Sequence, residues 1–252
     1  MIVLNKRYSK KSHQGIGMVF VNCMDITECK NELYEKAIHI VSEERKKKSE
    51  CYRYVDDSKR CICAGLLLQY GFYHNVGQLS EIEITYNEFG KPFIKNRKEF
   101  KYNITHSGKW VAIVYGGTEV GIDVEKIQEG REGLVDFCFS EEERFTIYNC
   151  IEKEEQLKQF TKIWTMKESY IKFLGTGLST SLRSFSVDAV NGLITCNDGE
   201  LKTDLRIRSY QFATDYYLSV CSTEDEICLH NVSLKEVVNL LECMHGCRSC
   251  LQ

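Results

Sequence analysis

The chain has 252 residues, of which 43% are hydrophobic and 27% charged, and its formal net charge is −3. These values allow a globular protein with a sizeable core, in one large domain or two small ones. A nearly neutral chain gives no support to nucleic-acid binding. No apolar run approaches the roughly 18 residues that cross a bilayer, and the N-terminus lacks the apolar region of a signal peptide. We therefore expect a cytoplasmic protein with no membrane or nucleic-acid partner.

Cysteine is unusually frequent, with 13 residues in the chain. An odd number at scattered positions is not typical of a disulfide framework, so most should be buried or surface thiols in a reducing compartment. Near the end of the chain, Cys243, Cys247 and Cys250 have a spacing that holds iron–sulfur clusters in other folds. Reduced surface thiols are the favoured interpretation there, and the sequence does not fix their role.

In the first half, the elements are predicted from apolar periodicity and turn residues. In chain order they are a strand over 16–21, helical segments over 31–50 and 57–70, a strand over 81–86, a turn over 87–92, and strands over 100–104 and 110–115. Residues 105–108 are expected to join the last two strands. The first helical segment becomes strongly basic at 45–48.

In the second half, a turn at 116–117 precedes the predicted elements. In chain order they are a strand over 120–125, a helix from a capping box at 140–143, a helix over 155–174, strands over 185–187, 205–207 and 216–220, and a short helix from a capping box at 233 to residue 241. Each half combines helices with mostly antiparallel strands. We predict an α+β fold, with subdomains 1–115 and 116–252. No sequence repeat is visible, so the residues alone do not show a duplication.

Two segments concentrate acidic and basic residues. In Gly121-Ile122-Asp123-Val124-Glu125 the two acids alternate with apolar residues, which predicts that Asp123 and Glu125 share one face of a strand. In the helix over 155–174, Glu168 and Lys172 are four residues apart and share a face. Either pair alone is also typical of a solvated strand or an ordinary helical ion pair. Together with Lys167 they offer three carboxylates and two lysines, which suits Mg²⁺ and a phosphorylated substrate.

These segments and their neighbours resemble the signatures of 4′-phosphopantetheinyl transferases. The similarity is closest to the surfactin-synthetase-activating type and covers roughly residues 40–222. The motifs that carry it, in the order of the family, are Phe89-Gly90-Lys91-Pro92, Asn103-Ile104-Thr105-His106-Ser107-Gly108, Gly121-Ile122-Asp123-Val124-Glu125, Phe139-Ser140-Glu141-Glu142-Glu143, and Trp164 to Lys172 followed by Gly175-Thr176-Gly177-Leu178.

The resemblance implies a magnesium-dependent reaction. The 4′-phosphopantetheine arm of coenzyme A would move to a serine of an apo carrier protein, leaving adenosine 3′,5′-bisphosphate. The implied fold is a single-chain pseudo-dimer of two similar α+β subdomains with coenzyme A between them, and a monomer is expected. The carrier could belong to nonribosomal peptide, polyketide or fatty-acid synthesis, and the sequence does not choose. The alternative function is a non-catalytic paralogue that binds coenzyme A or a carrier, against which the intact acidic set argues. An ATP-dependent phosphotransferase is disfavoured because no Walker-type motif is present.

The resemblance also assigns site residues. The implied metal ligands are Asp123, Glu125 and Glu168. Glu168 and Lys172 are the implied catalytic residues, and Glu168 is the best candidate general base. Whether Glu168 both binds the metal and takes the proton stays open. The implied contacts to coenzyme A are Arg45, Lys48, Arg60, Lys91, Thr105, His106, Lys167 and Lys172. The register of the basic run at 45–48 is not fixed. A lone His106 would more often be a core or turn histidine than a functional one.

A short apolar segment between the two acidic signatures has two interpretations. Leu134, Val135, Phe137 and Phe139 follow a glycine-containing turn and are either core residues or a surface for the acceptor. The resemblance implies that this segment lies beside the active cleft, where a carrier helix would dock by its apolar face.

Overall fold

The computed structural model of the chain describes residues 17–77 and 82–249. Its strands are β1 (Met18–Asp25), β2 (Ile84–Tyr86), β3 (Pro92–Ile94), β4 (Lys101–Ser107), β5 (Trp110–Gly116), β6 (Val120–Lys126), β7 (Phe185–Val187), β8 (Ile194–Cys196), β9 (Arg206–Phe212), β10 (Tyr216–Ser222) and β11 (Glu226–Asn231). Its α-helices are α1 (Asn31–Ile40), α2 (Glu43–Glu50), α3 (Val55–Val76), α4 (Val135–Cys138), α5 (Glu141–Tyr148), α6 (Lys153–Leu174) and α7 (Leu234–Ser249). Within the described residues, no helix is both long and apolar enough to cross a membrane.

The two halves repeat one arrangement of elements. In the first half, β1 is followed by the 22-residue helix α3, the β2–β3 pair, and the strands β4 and β5, with sheet order β1-β5-β4. In the second half, β6 is followed by the 22-residue helix α6, the β7–β8 pair, and β9 and β10, with order β6-β10-β9. All of these neighbours are antiparallel. The predicted α+β fold with two similar, mostly antiparallel subdomains is confirmed.

The end of the chain returns to the first half. Strand β11 pairs in parallel with the outer edge of β1, and α7 packs against α1 and α3. The apolar residues of α7 explain this position, because Leu234, Val237, Val238 and Leu241 are fully buried in the core of the first half. Residues 226–249 therefore pack with the first sheet, although the sequence-based limits place them in the second subdomain.

Three apolar cores divide the molecule into layers. One core lies between the first sheet and α1, α3 and α7, and another lies between the second sheet and α6. The third lies between the two sheets and includes Val21, Val114, Ile122 and Leu218. Because this inner core unites both halves, the two sheets face each other between outer layers of helices.

The edge strand β4 meets the acidic strand β6 through side chains. Alternate residues of β4 accept hydrogen bonds from alternate backbone N–H groups of β6: Asn103 from Ile122 at 3.0 Å, Thr105 from Val124 at 3.3 Å, and Ser107 from Lys126 at 3.2 Å. The first two bonds satisfy the N–H groups of Ile122 and Val124, which would otherwise be buried without partners. They also fix which residues of β4 lie beside Asp123 and Glu125.

Several element limits differ from the sequence-based predictions. The basic helical region is two helices, because Ser42 caps α2 by accepting from Arg45 N at 3.3 Å. Residues 105–107 continue β4, since they stay paired with β5. The short strand β8 and the strand β11 were not predicted. Ile16, Glu81 and Cys250 lie outside the described residues, and so does the side chain of Cys247. The eleven cysteines whose side chains are described are free.

Candidate active site

Gly121 allows α6 to cross β6 in close contact. A Cβ atom at this position would lie 2.0 Å from the carbonyl oxygen of Ser169 and 2.3 Å from the nitrogen of Phe173. Both are backbone atoms of α6, so no side chain could be accommodated without moving the helix. The close crossing places the helix face that carries Glu168 and Lys172 against the strand face that carries Asp123.

Asp123 is the buried centre of this crossing. Its Oδ1 accepts from Lys172 Nζ at 2.5 Å and from Thr105 Oγ1 at 3.0 Å. Its Oδ2 is buried and has no hydrogen-bond partner among the described residues. Burial raises the pKa of Asp123, the Lys172 ammonium opposes that change, and the charge of Glu125 adds to it. An unpaired buried oxygen next to other acids is a position that a cation would stabilise.

Glu125 lies two residues along the same face. Its Oε2 accepts from Ser107 Oγ at 2.8 Å, and its Oε1 forms an ion pair with Arg131 at 3.2 Å. Both oxygens of this carboxylate are therefore engaged, one by the first half of the chain and one by the segment that follows β6. Neither Ser107 nor Arg131 was expected at the site.

Glu168 faces the two acids from α6. It is half-buried and makes no hydrogen bond or ion pair with any residue in the described parts of the chain. Burial raises the pKa of Glu168, followed by the negative charges of Asp123 and Glu125, while Lys172 opposes them. The three carboxylates thus share one electrostatic environment, as their spacing predicts.

The three acids form an open cluster. Their oxygens are not all within 4.8 Å of one another. Among the described residues, three ligand atoms lie that close together only in Cys196, Asp198 and Glu200, at the end of β8 and in the turn that follows it. Carboxylate oxygens from a strand and a helix, with one buried oxygen unpaired, are nevertheless the donor set that Mg²⁺ uses when it shares its coordination with phosphate and water. The residues present fit that ion.

Lys172 and Lys167 have different environments although both belong to α6. The Lys172 ammonium is partly exposed and bonds to Asp123 and, at 3.3 Å, to Thr105 Oγ1, so it lies at the site. Lys167 is 0% exposed, and its ammonium donates to both Glu143 oxygens and to Phe185 O. The structure does not bring Lys167 to the acids, because its three donors are already used in the core. The interpretation of Lys167 as a phosphate contact is therefore not retained.

Lys91 is also fully engaged by protein atoms. Its ammonium donates to Glu119 Oε2 at 3.0 Å, Val120 O at 3.3 Å and Phe173 O at 2.9 Å. It therefore joins the first half to the connection before β6 and to the last turn of α6, where carbonyl groups lack helical partners. In this arrangement Lys91 stabilises the position of α6, and its ammonium has no donor left for a nucleotide. The expected nucleotide contact at Lys91 is therefore not retained either.

Thr105 and His106 lie on opposite faces of β4. The Thr105 hydroxyl is buried against Asp123, Lys172 and the N–H of Val124, so it positions the acid and is not open to a phosphate. His106 is exposed on the other face, toward α3. Loss of hydration beside neighbouring protein atoms lowers the pKa of His106, and the positive charges of Arg60 and Lys172 lower it further.

Basic residues of α2 and α3 lie on this His106 side. Arg60 donates to Gly108 O at 2.5 Å, just beyond the end of β4, and pairs with Asp57 at 2.6 Å. Arg45 packs against Gly65 of α3 and donates to Cys61 O at 3.4 Å. Lys48 is exposed near the end of α2. The structure thus brings Arg60 to His106 and orients Arg45 toward α3. Lys48 is exposed to solvent in α2, so the structure does not place it at this cluster.

The apolar segment after β6 combines both of its interpretations. Val135 and Phe139 are buried in the core beneath α6, whereas Leu134 is 37% and Phe137 76% exposed. The buried pair anchors the short helix α4, and the exposed pair leaves an apolar surface beside the segment that carries Arg131.

Sequence reasoning missed two residues that contact the acids, Ser107 and Arg131, and one residue of the core, Glu143, which pairs with Lys167. The polar alternation of Asn103, Thr105 and Ser107 on β4 is a signal that could have indicated contact with another polar strand. Glu143 was recognised as part of a capping box, which is present, and of a family motif, but not as the partner of Lys167. Nothing in the sequence near Arg131 distinguishes it from other surface arginines.

Comparison with known proteins identifies relatives of this chain. A family model described as the 4′-phosphopantetheinyl transferase superfamily matches residues 119–221, and one described as 4′-phosphopantetheinyl transferase, N-terminal, matches residues 28–116. The 4′-phosphopantetheinyl transferase ffp of Bacillus subtilis is 30% identical over 195 residues, which cover 76% of this chain and 86% of the relative. A 4′-phosphopantetheinyl transferase of Bacillus subtilis is 28% identical over 215 residues, covering 82% of this chain and 92% of the relative.

A third relative, the 4′-phosphopantetheinyl transferase Sfp of Bacillus subtilis strain 168, is 29% identical over 195 residues, which cover 76% of this chain and 86% of the relative. The two family matches meet at the connection between β5 and β6, where the structure changes from its first repeat to its second. From the motif order, the repeated fold, and relatives that match over most of their length, we conclude that this chain belongs to the 4′-phosphopantetheinyl transferases.

Proposed function

We propose that the protein transfers the 4′-phosphopantetheine arm of coenzyme A to the serine hydroxyl of an apo carrier protein, with Mg²⁺ as cofactor. The other product is adenosine 3′,5′-bisphosphate. The observation that carries the proposal is the meeting of Asp123, Glu125 and Glu168 around a buried carboxylate oxygen that has no partner within the described residues, with Lys172 beside them.

Asp123, Glu125 and Glu168 would hold the metal. When bound, Mg²⁺ supplies positive charge that neutralises the pyrophosphate of coenzyme A and the charge that develops on the leaving phosphate. The raised pKa values of Asp123 and Glu168 support this role, because mutual repulsion and burial are relieved when a cation is present.

Glu168 is the proposed general base. Glu168 makes no hydrogen bond or ion pair in the described chain, so its carboxylate oxygen that does not bind the metal would be available to accept the proton of the serine hydroxyl. In the reaction, the serine oxygen forms a bond to the β-phosphorus of coenzyme A and its proton passes to Glu168. The bond from that phosphorus to the bridging oxygen breaks, and the electron pair leaves with adenosine 3′,5′-bisphosphate.

Lys172 is proposed to stabilise the phosphates during transfer. Its ammonium is partly exposed and lies between a buried acid and the surface, so it can contact a phosphate oxygen while staying near Asp123. A preorganised cation of this kind acts mainly on charge that develops in the transition state.

Arg60, His106 and Arg45 are proposed to recognise the nucleotide end of coenzyme A, including its 3′-phosphate. These residues lie on the face of β4 that points to α3, whereas the acids lie against its opposite face. This separation supports assigning the nucleotide end of coenzyme A to the basic residues and the pyrophosphate to the acids. The lowered pKa of His106 means that the imidazole is neutral near pH 7 and would gain its proton when a phosphate dianion binds. Lys48 remains a further candidate at the exposed end of α2.

The acceptor is proposed to dock on the exposed apolar residues Leu134 and Phe137. Carrier proteins of nonribosomal peptide or polyketide synthesis are the proposed class, and their acidic character would favour the cations of this region. The two sheets already bury each other's inner faces, which supports a monomer as the working unit.

The proposal is tested by incubating the protein with coenzyme A, Mg²⁺ and several apo carriers and measuring the intact mass of each carrier after denaturation. A gain of one phosphopantetheine, abolished by a magnesium chelator, is expected because a phosphodiester bond survives denaturation. Binding of coenzyme A without any gain in carrier mass would favour the non-catalytic alternative.

A further inference from the structure

Glu125 differs from the other two acids in how fully it is bonded. Asp123 keeps one oxygen without a partner in the described chain. The Glu168 carboxylate makes no hydrogen bond or ion pair there. In Glu125, Ser107 Oγ donates to Oε2 at 2.8 Å and the Arg131 guanidinium lies 3.2 Å from Oε1. A divalent cation that approaches Glu125 therefore meets a carboxylate whose negative charge is already neutralised.

The two partners of Glu125 are not equivalent. Ser107 belongs to β4, where its oxygen also accepts the backbone N–H of Lys126, so it is fixed by the junction of the two halves. Arg131 follows Gly130, whose φ of +91° favours glycine, and belongs to a segment outside the sheets. The Arg131 side chain is 32% exposed. Arg131 is thus the partner that can move.

Charge decides which partner must move. A neutral serine hydroxyl can stay on one oxygen while the other oxygen binds a cation, because hydroxyl donors do not repel a metal. A guanidinium next to a divalent cation is repelled by it and competes for the same lone pairs. We propose that Arg131 is a counter-ion of Glu125 that is displaced when the divalent cation binds, and that Ser107 is the positioning residue that keeps Glu125 in place.

This inference has a consequence for the surface next to the site. The carbonyl oxygen of Arg131 accepts from Leu134 N at 2.9 Å, so the arginine and the exposed leucine belong to one hydrogen-bonded turn. Displacement of the Arg131 side chain frees a positive charge beside Leu134, on the surface proposed for an acidic carrier. Metal loading would thereby prepare the acceptor surface.

The inference rests on the proposed function, because it takes Glu125 as a metal ligand. It is tested by titrating Mn²⁺ into the protein with saturating coenzyme A and no carrier, and measuring free Mn²⁺ by electron paramagnetic resonance. Arg131→Gln should bind Mn²⁺ about two- to fivefold more tightly than the wild type, the range expected for an ion pair of this exposure. Arg131→Lys, which keeps the charge, should remain close to the wild type, and Arg131→Met gives a second neutral variant if the glutamine variant folds poorly.

Arg144→Gln is the matched control. Arg144 lies on α5, and its guanidinium pairs with Asp136 of α4 at 3.8 Å. The variant therefore removes the same charge without changing a contact of Glu125. Equal shifts in Arg131→Gln and Arg144→Gln, or unchanged or weaker Mn²⁺ binding in Arg131→Gln, would overturn the counter-ion role while leaving the metal assignment intact. Wild-type Mn²⁺ affinity in Glu125→Gln would overturn the metal assignment and the counter-ion role together.

Discussion

Replacing Lys167 with methionine should lower the free energy of unfolding by about 3–5 kcal/mol, the cost of removing one partner of a buried ion pair. The ammonium is fully enclosed and donates to Glu143 Oε1 at 2.7 Å, Glu143 Oε2 at 2.8 Å and Phe185 O at 2.7 Å. Without it, the Glu143 charge stays buried, stabilised only by the N–H groups of Ser140 and Val187. A replacement of similar length preserves packing, so the loss would report on charge.

The assay is equilibrium unfolding by urea, followed by the melting temperature as a second readout. At roughly 2–4 °C per kcal/mol for a chain of this size, the melting temperature should fall by about 6–20 °C. Lys158→Met is the matched control, because Lys158 pairs with Glu154 at 2.7 Å on the exposed side of the same helix. Such exposed pairs contribute about 0–1 kcal/mol, so this variant should remain close to the wild type.

The same variant separates a core role for Lys167 from a phosphate contact. Below its melting temperature, Lys167→Met should keep a nearly unchanged KM for coenzyme A, because the side chain does not reach the ligand. A stability loss under about 1 kcal/mol together with a raised KM for coenzyme A would refute the reasoning and restore the phosphate role.

Three further predictions follow from the site. Glu168→Gln should raise the melting temperature of the chelator-treated protein at pH 7. The pKa of Glu168 is raised in the folded state, so the stability that its protonated form contributes is lost as the pH rises through that pKa. At pH 7 the ionised carboxylate therefore lowers the free energy of unfolding, and the neutral amide removes this loss. A lower melting temperature would contradict this. Lys91→Gln should reduce stability but leave the ratio of KM values for coenzyme A and 3′-dephospho-coenzyme A unchanged, and a changed ratio would restore the nucleotide contact. Leu134→Gln should raise the KM for carrier and not for coenzyme A, whereas Val135→Gln should unfold the protein; unaltered carrier kinetics in folded Leu134→Gln would exclude this docking surface.

The strand and the helix that carry the acidic residues could be predicted because they depend on local signals. Period-two alternation at Val120, Ile122 and Val124 fixes which face of β6 is buried between the sheets, and hence that Asp123 and Glu125 face α6. The helical spacing of Glu168 and Lys172 fixes their shared face in the same way. A glycine at position 121 completes the arrangement, since the crossing helix leaves no room for a side chain.

The partners of individual cations could not be predicted, because they depend on contacts between residues distant in sequence. Lys91 and Phe173 are 82 residues apart, and Lys167 and Glu143 are 24 apart. From sequence, a lysine in a motif is equally compatible with a phosphate contact and with a buried ion pair. The return of β11 to the first sheet is likewise set by the uncovered edge of β1, which no local pattern reveals.

The claim that Asp123, Glu125 and Glu168 hold the metal needed for transfer is tested most directly by one measurement. The rate at which an apo carrier gains the mass of phosphopantetheine is followed at increasing Mg²⁺ for the wild type and for Glu125→Gln, with folding of both checked by their melting curves. The account predicts that the variant loses most activity. The loss should exceed the roughly 10–100-fold typical of changes to residues that bond to a metal ligand and not to the metal itself. Full turnover by a folded Glu125→Gln variant at ordinary Mg²⁺ concentrations would contradict it.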